Sequence, residues 1–389
     1  MVRTNLRKYS YKKVFPRFCF GILDFIGFLF FSRKREIPKN ISNILVFRPD
    51  HLGDVVFSIP SLEILKEKFP DAQIDILIGP WSSSLIKNTT QFDSNNFHIL
   101  EYACPWLNRP KIVKFGFLSI FQIAKLLKDR MLEIGRTYDI AIDLRGDFQL
   151  IMAARIARIP FLAGRGSTGL GFLLDTDVRI FEDRHLVESN LFLLEKSGLG
   201  EFPFKEPEIK ISSENKDRGS SILRENGANF LKPLIGIHPG AGLGDKRWPS
   251  EKMAALVERF LFKKRYQVVL LGGPDDKQLI QKLLEFLPPL LKEEVIDLSG
   301  KVNSLRTFMG VIKNINLYIG NDSGPTHIAS AINVPVVCIF QGTNDPSICR
   351  PLGNSAFTVS AEPKNRKRIQ KEYPPPSFEE VCKVVDRCV

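Results

Sequence analysis

The sequence contains few of the residues that build disulfide scaffolds or metal centres. Its 389 residues include six cysteines and five histidines, and no two cysteines stand in a Cys-x-x-Cys pair. Zinc-binding modules need closely spaced ligands, and disulfide scaffolds need a much higher density of cysteine. We therefore predict reduced thiols and no metal site.

Acidic residues are scarce at the N-terminus. Residues 1–40 contain ten Lys/Arg but only Asp24 and Glu36, so this segment holds +8 of the net charge of +12. The remaining +4 is spread over residues 41–389, which argues against a nucleic-acid-binding protein. A basic extension on a nearly neutral body favours an anionic membrane surface as partner. We predict a cytoplasmic protein, peripheral on the inner face of the cytoplasmic membrane.

Long apolar runs are also missing. The one membrane-like stretch, Phe18–Phe31, has fourteen residues and includes Asp24, whereas a helix needs roughly 20 apolar residues to span a bilayer. Cations flank it on both sides and no small-residue cleavage site follows, so it is unlike a secretory signal. Two interpretations stay open: a helix lying in the membrane interface, or a first helix packed on the protein's own surface.

Two series of alternating strands and helices follow Pro38. The first begins with strand Asn43–Arg48 and the second with strand Leu234–His238. Such alternation predicts mostly parallel, doubly wound sheets, and therefore an α/β protein with two Rossmann-like domains. Ligands of these sheets bind outside the carboxyl ends of the strands. The predicted division is an extension at 1–40, domains at 41–215 and 216–376, and a C-terminal helix at 377–389.

The segment Arg48-Pro-Asp-His-Leu-Gly-Asp54 directly follows the first strand. Pro49 and Gly53 indicate a tight turn, and Asp54 opens the next helix. An aspartate in this place is a good N-cap, which composition alone favours. The functional alternative is a carboxylate that faces the cleft and acts as a general base.

A Gly-rich loop, HPGAGLGDKRWP at 238–249, lies between a strand and a helix of the second half. Glycines such as Gly240 and Gly242 let the backbone approach a ligand closely. Lys246 and Arg247 supply positive charge for a diphosphate. The loop lacks the spacing of an ATP-hydrolysing P-loop.

A second Gly-rich loop, GNDSGPTH at 320–327, also lies between a strand and a helix. The N–H groups of Ser323 and Gly324 would point from a helix start, which is a ready anion site. His327 lies four residues after Ser323, on the same face of the helix. Together the two loops predict one diphosphate site.

Three further patterns imitate known binding motifs. Gly164-x-Gly166-x-x-Gly169 has the dinucleotide-binding spacing, but loop and strand follow it rather than a helix. Asp175-Thr-Asp177 imitates a metal-binding pair, and we predict an ordinary surface pair. The acidic pair 275–276 either decorates a helix start or hydrogen-bonds a ribose.

Four segments, in this order and spacing, resemble glycosyltransferase family 9, the ADP-heptose:lipopolysaccharide heptosyltransferases. They are ILVFRPDHLGDVVFSIP (44–60), IGIHPGAGLGDKRWP (235–249), LLGGPDD (270–276) and IGNDSGPTHIASAINVPVV (319–337). The resemblance covers residues 41–389 and implies a GT-B fold, in which two Rossmann-like domains face a central cleft. It also implies that the C-terminal helix packs back toward the first domain.

The resemblance implies a role for each matching residue. Asp54 matches the catalytic base, Lys246 the lysine that contacts the donor phosphate, and Asp276 an acidic residue that contacts the donor ribose, where glutamate also occurs. The other implied donor-binding positions are Gly240, Ala241, Gly242, Asp322, Ser323, Gly324 and His327. Candidate acceptor-binding cations in the first half are Lys111, Lys114, Arg145 and Arg165, although exposed cations are more often solvated surface.

The implied reaction is an inverting, metal-independent transfer of heptose from ADP-heptose to a lipid A-linked inner-core acceptor of lipopolysaccharide, without a cofactor. Phosphate-binding loops do not identify a base or a sugar. One alternative is therefore a GT-B transferase that uses another nucleotide sugar for cell-surface glycan synthesis. The other is a catalytically silent protein that binds nucleotide sugars.

Overall fold

The chain folds into two compact units, each described here by itself. The first comprises residues Met1–Lys87 and Phe92–Lys205, and the second comprises Asn88–Gln91 and Glu206–Val389. The computed structural model describes residues 14–31, 35–107, 116–178, 184–360 and 374–389.

The first unit contains a six-stranded parallel sheet with the order β3-β2-β1-β4-β5-β6. Its strands are β1 Asn43–Arg48, β2 Gln73–Ile78, β3 Phe97–Glu101, β4 Ile140–Asp143, β5 Phe161–Gly164 and β6 Thr176–Asp177. Its α-helices are α1 Val14–Phe30, α2 Leu52–Val56, α3 Ile59–Lys68, α4 Pro80–Lys87, α5 Gly116–Glu133, α6 Phe148–Ile156 and α7 Leu186–Leu194.

The second unit repeats this architecture with the order β12-β11-β10-β7-β8-β9, also parallel. Its strands are β7 Leu234–His238, β8 Gln267–Leu270, β9 Ile296–Asp297, β10 Leu317–Asn321, β11 Val336–Ile339 and β12 Ala356–Val359. Its α-helices are α8 Ser213–Glu225, α9 Ser250–Phe262, α10 Lys277–Glu285, α11 Pro289–Lys292, α12 Leu305–Lys313, α13 Gly324–Ala331, α14 Pro346–Cys349 and α15 Phe378–Val385.

The central strands are buried along their whole length because helices cover both faces of each sheet. Every residue of β1, β7 and β10 is buried. In the first unit Leu45, Phe47 and Leu77 pack with Ile123 and Leu127 of α5. These observations confirm the prediction of an α/β protein with two doubly wound sheets.

The division between the units falls at 205/206 rather than at the predicted 215/216. The residues just after 205 already contact the second unit. Ile209 is buried, and its N–H donates to Ala331 O at the end of α13 over 2.8 Å. Farther along, Gly219 of α8 packs directly against Gly310 of α12.

Helix α15 lies in the core of the second unit. Ser377 and Glu380 form a capping box at its start, so its N-terminus is fixed locally. Val381, Cys382 and Val385 are buried in the apolar cluster of the second sheet. Its apolar face is covered by β11 and β12, and packing of this helix toward the first domain stays a prediction.

Helix α1 packs by one face on the first unit. The ring of Phe20 lies 5.1 Å from that of Phe148, and a Cβ on Gly27 would come within 2.2 Å of Phe172. One face of the helix is thus packed on the protein's own surface, and the interpretation as a helix in the membrane interface stays a prediction. Among the described residues, no helix is both long and apolar enough to cross a membrane.

Candidate active site

The two Gly-rich loops leave the sheet of the second unit side by side. Strands β7 and β10 are parallel neighbours, and Gly320 pairs with His238 at their carboxyl ends. The loop after β7 therefore emerges beside the loop after β10, as expected for a ligand site of a doubly wound sheet. The predicted juxtaposition of the two loops is present.

Asn321, which the sequence reasoning did not single out, ties the two loops together. Its fully buried side chain donates from Nδ2 to Pro239 O over 2.8 Å and accepts at Oδ1 from Trp248 N over 2.9 Å. Thr326 Oγ1 in turn donates to Asn321 O over 2.6 Å. One amide side chain thus fixes both ends of the loop that carries Lys246.

A partly buried ion pair joins Lys246 to the second loop. Lys246 Nζ lies 2.7 Å from Asp322 Oδ2, which also accepts from Asn344 Nδ2 over 2.6 Å. His327 Nε2 lies 3.3 Å from Asp322 Oδ1, and the His327 side chain is itself buried. Burial raises the pKa of Asp322, but its contacts with His327 and Lys246 outweigh burial and lower the pKa to about 2.

Gly240 and Asp276 are in close contact. A Cβ at Gly240 would lie 2.2 Å from Asp276 Oδ1, so a larger residue there would displace the Asp276 carboxylate from its present position. Asp276 Oδ2 accepts from Gly273 N over 3.1 Å and lies 3.4 Å from His238 Nε2. Burial raises the pKa of Asp276, but the hydrogen bond to His238 and its charge lower the pKa below its ordinary value. A Cβ at Gly242, by contrast, would meet no atom within 4 Å.

The loop segment after Gly240 is held from within the loop. Ala241 is buried, and its carbonyl accepts from Arg247 Nε over 3.1 Å and Nη2 over 3.0 Å. The guanidinium of Arg247 therefore supports the backbone, whereas the ammonium of Lys246 is the cation nearest the second loop. This separates the roles of two cations that the sequence had grouped together.

The start of α13 has the geometry of an anion-binding helix N-terminus. Ser323 is the N-cap residue in extended conformation, and Gly324 and Pro325 open the helix. Proline has no N–H, so the amides of Ser323 and Gly324 are those nearest the end of the strand. The N–H of Thr326 is used within the turn, where it donates to Ser323 O over 3.0 Å.

A cavity of about 280 Å³ lies next to the Gly240–Asp276 contact. His238, Gly272, Gly273 and Asp276 form its polar wall, and Val302, Leu305 and Phe308 are among its apolar residues. Small-molecule sites combine an apolar surface with a few polar groups in this way.

In the first unit, Asp54 does not cap α2. His51 is the N-cap residue, without a side-chain cap bond, and Asp54 lies in the first turn of the helix. The favoured interpretation as an N-cap is therefore wrong. Arg48 Nε and Nη2 donate to Asp54 O over 3.1 and 3.0 Å, while the Asp54 side chain keeps 38% of its surface exposed. Arg48 Nη2 also lies 3.7 Å from Asp54 Oδ1. Arg48 therefore fixes the backbone and pairs with a carboxylate that remains partly accessible.

Two of the four predicted acceptor cations lie near this turn. Arg145 pairs with Asp50 and with Asp147, and Asp50 also lies 3.4 Å from Arg48 Nη1. Arg165 is not exposed surface but is buried, with Nη1 donating to Leu144 O over 2.8 Å and Nη2 to Asn190 Oδ1 over 3.0 Å. The other two, Lys111 and Lys114, lie outside the described residues.

Burial perturbs two charged groups in this part of the first unit. Desolvation raises the pKa of Asp143 to about 7, although its Oδ1 accepts from the amides of Arg145 and Gly146. Desolvation also lowers the pKa of Arg165 to about 9, with a further contribution from the nearby charge of Arg48. Perturbed groups at the carboxyl end of a sheet are typical of functional sites.

The motifs at 164–169 and 175–177 have structural roles. Asp175 is buried rather than on the surface, and accepts from Arg155 Nη2 over 2.7 Å and Leu162 N over 2.8 Å. Asp177 accepts from Gly166 N over 2.8 Å. Within the described part of the chain, no three His, Cys, Asp or Glu side chains group so as to hold a metal ion.

Comparison with known proteins agrees with these two sheets and their loops. The chain is 26% identical over 330 residues to lipooligosaccharide heptosyltransferase 2 of Haemophilus influenzae, with 82% of this chain and 88% of that protein covered. It is 27% identical over 330 residues to lipopolysaccharide heptosyltransferase 2 of Escherichia coli, covering 81% and 87%.

A solved structure shares the fold, which is the GT-B fold. The structure of E. coli ADP-heptose lipopolysaccharide heptosyltransferase II superposes with a TM-score of 0.69 at 23% identity, over 89% of this chain and 98% of that one. The family model described as glycosyltransferase family 9 (heptosyltransferase) matches residues 130–381, which is more than half of the chain. The protein therefore belongs to glycosyltransferase family 9 and is a glycosyltransferase.

Proposed function

We propose that the protein transfers a heptose from ADP-heptose to a lipid A-linked inner-core acceptor of lipopolysaccharide. The observation that carries the donor part is the arrangement of Lys246, the Ser323–Gly324 helix start and the cavity beside Asp276, all at one sheet edge. A diphosphate fits the lysine and the helix amides. An adenosine fits the cavity, with its ribose hydroxyls toward Asp276.

The acceptor part rests on the names of the relatives and on the first unit. The matched proteins of Haemophilus influenzae and E. coli are lipooligosaccharide and lipopolysaccharide heptosyltransferases. The exposed carboxylate of Asp54 and the partly exposed Arg145 lie at the carboxyl edge of the first sheet. Cations at this edge suit an acidic or phosphorylated glycolipid.

The proposed reaction is a single displacement with inversion and without a metal ion. Asp54 removes the proton from an acceptor hydroxyl, and the oxygen attacks the anomeric carbon of the donor. The bond from that carbon to the diphosphate breaks, and the leaving ADP carries the electron pair. Lys246 and the amides of Ser323 and Gly324 stabilise the negative charge on the leaving group.

The proposed location is the cytoplasmic face of the inner membrane, with the protein bound peripherally. The net charge of +8 in residues 1–40 supports contact with anionic lipid. A membrane-embedded acceptor requires an enzyme that works at the bilayer surface.

Calorimetric titration with ADP, UDP and GDP, first without metal and then with Mg²⁺, tests the donor. We expect binding of ADP in preference to UDP and GDP, with the same affinity in both buffers. Preference for UDP or GDP would indicate that the donor is another nucleotide sugar. Binding of none of the three would contradict the proposed diphosphate site.

Transfer from ADP-heptose to a heptose-deficient inner-core acceptor tests the reaction. The anomeric configuration of the product, read from its NMR coupling, should be opposite to that of the donor. Retention would exclude the single displacement. Donor binding without transfer or hydrolysis would favour the silent nucleotide-sugar-binding protein.

A further inference from the structure

The face of α1 that points away from the first unit is apolar. Asp24, the only charged residue between Phe18 and Phe31, is turned inward and is 4% exposed. The apolar side chains on the outer face expose between 44% and 75% of their surface: Phe18, Ile22, Leu23, Phe25, Ile26, Leu29 and Phe30. So many exposed apolar side chains on one helix mark an interaction surface.

The start of α5 adds a second group of exposed apolar side chains. Phe117, Leu118 and Phe121 are 70%, 54% and 60% exposed. The two helices meet at Phe148, whose ring lies 5.1 Å from Phe20 of α1 and 6.4 Å from Phe117 of α5. The two helices therefore lie on either side of Phe148. We call the outer face of α1 and these three residues of α5 together the aromatic face.

Basic sequence accompanies both parts of the aromatic face. Residues 1–40 carry ten Lys/Arg against two acidic residues. Residues 102–128 carry five Lys/Arg and no acidic residue, namely Arg109, Lys111, Lys114, Lys125 and Lys128. Apolar and aromatic side chains flanked by cations match the interface of an anionic bilayer. A second copy of the chain would instead bring two such positive segments together, which Coulomb repulsion opposes.

The aromatic face is continuous with the edge that carries Asp54. Phe148 follows Asp147, which accepts from Trp106 Nε1 over 2.6 Å and pairs with Arg145. Arg145 in turn pairs with Asp50, in the turn that precedes Asp54. A bilayer that contacts the aromatic face therefore lies beside the acceptor edge of the first sheet.

We propose that α1 and the start of α5 form one two-part surface that binds an anionic lipid bilayer and presents the Asp54 edge to the membrane. The presentation of the Asp54 edge to the membrane rests on the proposed glycolipid acceptor. The binding of this surface to lipid does not depend on that proposal. The start of α5 is essential to the proposal, because the basic extension alone would leave Phe117, Leu118 and Phe121 without a role.

Vesicle co-sedimentation of the full chain tests the proposal. Wild-type protein should bind vesicles of phosphatidylcholine with phosphatidylglycerol, and bind vesicles of phosphatidylcholine alone much less. The variant F117S/L118S/F121S should bind the anionic vesicles at least about tenfold more weakly, because three side chains no longer enter the interface. The variant F25S/L29S on α1 should show a similar loss.

A matched control lies on the same helix. Leu132 is 80% exposed near the C-terminal end of α5, and L132S should bind vesicles like the wild type. Far-UV circular dichroism and the urea unfolding midpoint should be equal in all variants, which shows that the first unit, where all of these substitutions lie, remains folded. Wild-type vesicle binding by F117S/L118S/F121S would overturn the proposal. The proposal would also be overturned if the wild-type protein did not bind vesicles but formed a dimer that the F117S/L118S/F121S variant does not form. The vesicle assay contains no sugar substrate, so its outcome does not depend on whether the proposed transfer reaction occurs.

Discussion

Replacing Asp322 by asparagine should lower the free energy of unfolding of the second unit by about 2 kcal/mol at pH 7. The carboxylate is buried, and contacts with His327 and Lys246 outweigh that burial and lower its pKa from 3.8 to about 2. One pKa unit corresponds to about 1.4 kcal/mol, so this shift is worth about 2 kcal/mol. Asparagine keeps the size and an acceptor oxygen, so the variant removes mainly the charge.

The loss should depend on pH in a defined direction. The folded pKa of Asp322 lies below its unfolded value, so the stabilisation is complete above the unfolded pKa and disappears as the pH falls through the folded one. At pH 3 about half of it, roughly 1 kcal/mol, should remain. The difference between wild type and D322N should therefore shrink between pH 5 and pH 3.

Urea unfolding followed by pulsed hydrogen exchange measures this difference, because the amides of the second sheet report on the second unit separately. Wild type and D322N are compared at pH 7, 5 and 3, so that the other titrating groups cancel. A difference that stays constant over this range would refute the reasoning, since it would then come from packing rather than from the charge of Asp322.

Four other changes give distinct expected results. Asp54→Asn should lower kcat at least about a hundredfold at saturating donor while ADP affinity stays unchanged, and turnover at the wild-type rate would contradict a general base. Lys246→Ala should weaken ADP binding at least about tenfold by calorimetry, because a charge-assisted hydrogen bond is lost. Asn321→Ala should destabilise the second unit by about 3 kcal/mol in urea and weaken ADP binding, because buried Trp248 N and Pro239 O lose their partner. Its control is N316A, which removes a bond to Leu234 N at the opposite end of the same strands and should leave ADP binding unchanged. For Asp143, whose pKa burial raises to about 7, the folded state gains a proton below that pH. Wild-type stability should therefore rise from pH 8 to pH 5, and D143N should lose that rise.

Periodicity in the sequence was enough to predict the central strands but not the whole fold. Strands β1 and β7 have the predicted bounds because each is a continuous apolar run between turn residues. Strands Phe161–Gly164 and Ala356–Val359 were not predicted from the sequence. The pattern of α15 predicted a helix, but an apolar helix face does not indicate which part of the protein it packs against. Here it packs in the core of the second unit.

The candidate site shows the same limit at the level of side chains. Glycine, lysine and helix-start patterns predicted which loops approach each other. The contacts of Asn321 join residues 73 and 82 positions apart in the sequence, and no local pattern reports such bonds. Arg165 illustrates the opposite error: an arginine is usually exposed, but here tertiary packing buries it against Leu144 and Asn190.

The ion pair of Lys246 and Asp322 links the stability of the second unit to its donor chemistry. Asp322 holds the ammonium in place over 2.7 Å, but its negative charge also offsets the positive charge that Lys246 would offer a diphosphate. The lysine therefore contributes orientation more than net charge. In the proposed reaction, the amides of Ser323 and Gly324 would then supply the larger share of the attraction for the leaving diphosphate. A site that neutralises its own cation in this way binds the charged product ADP less tightly, and slow release of product is a common limit on kcat.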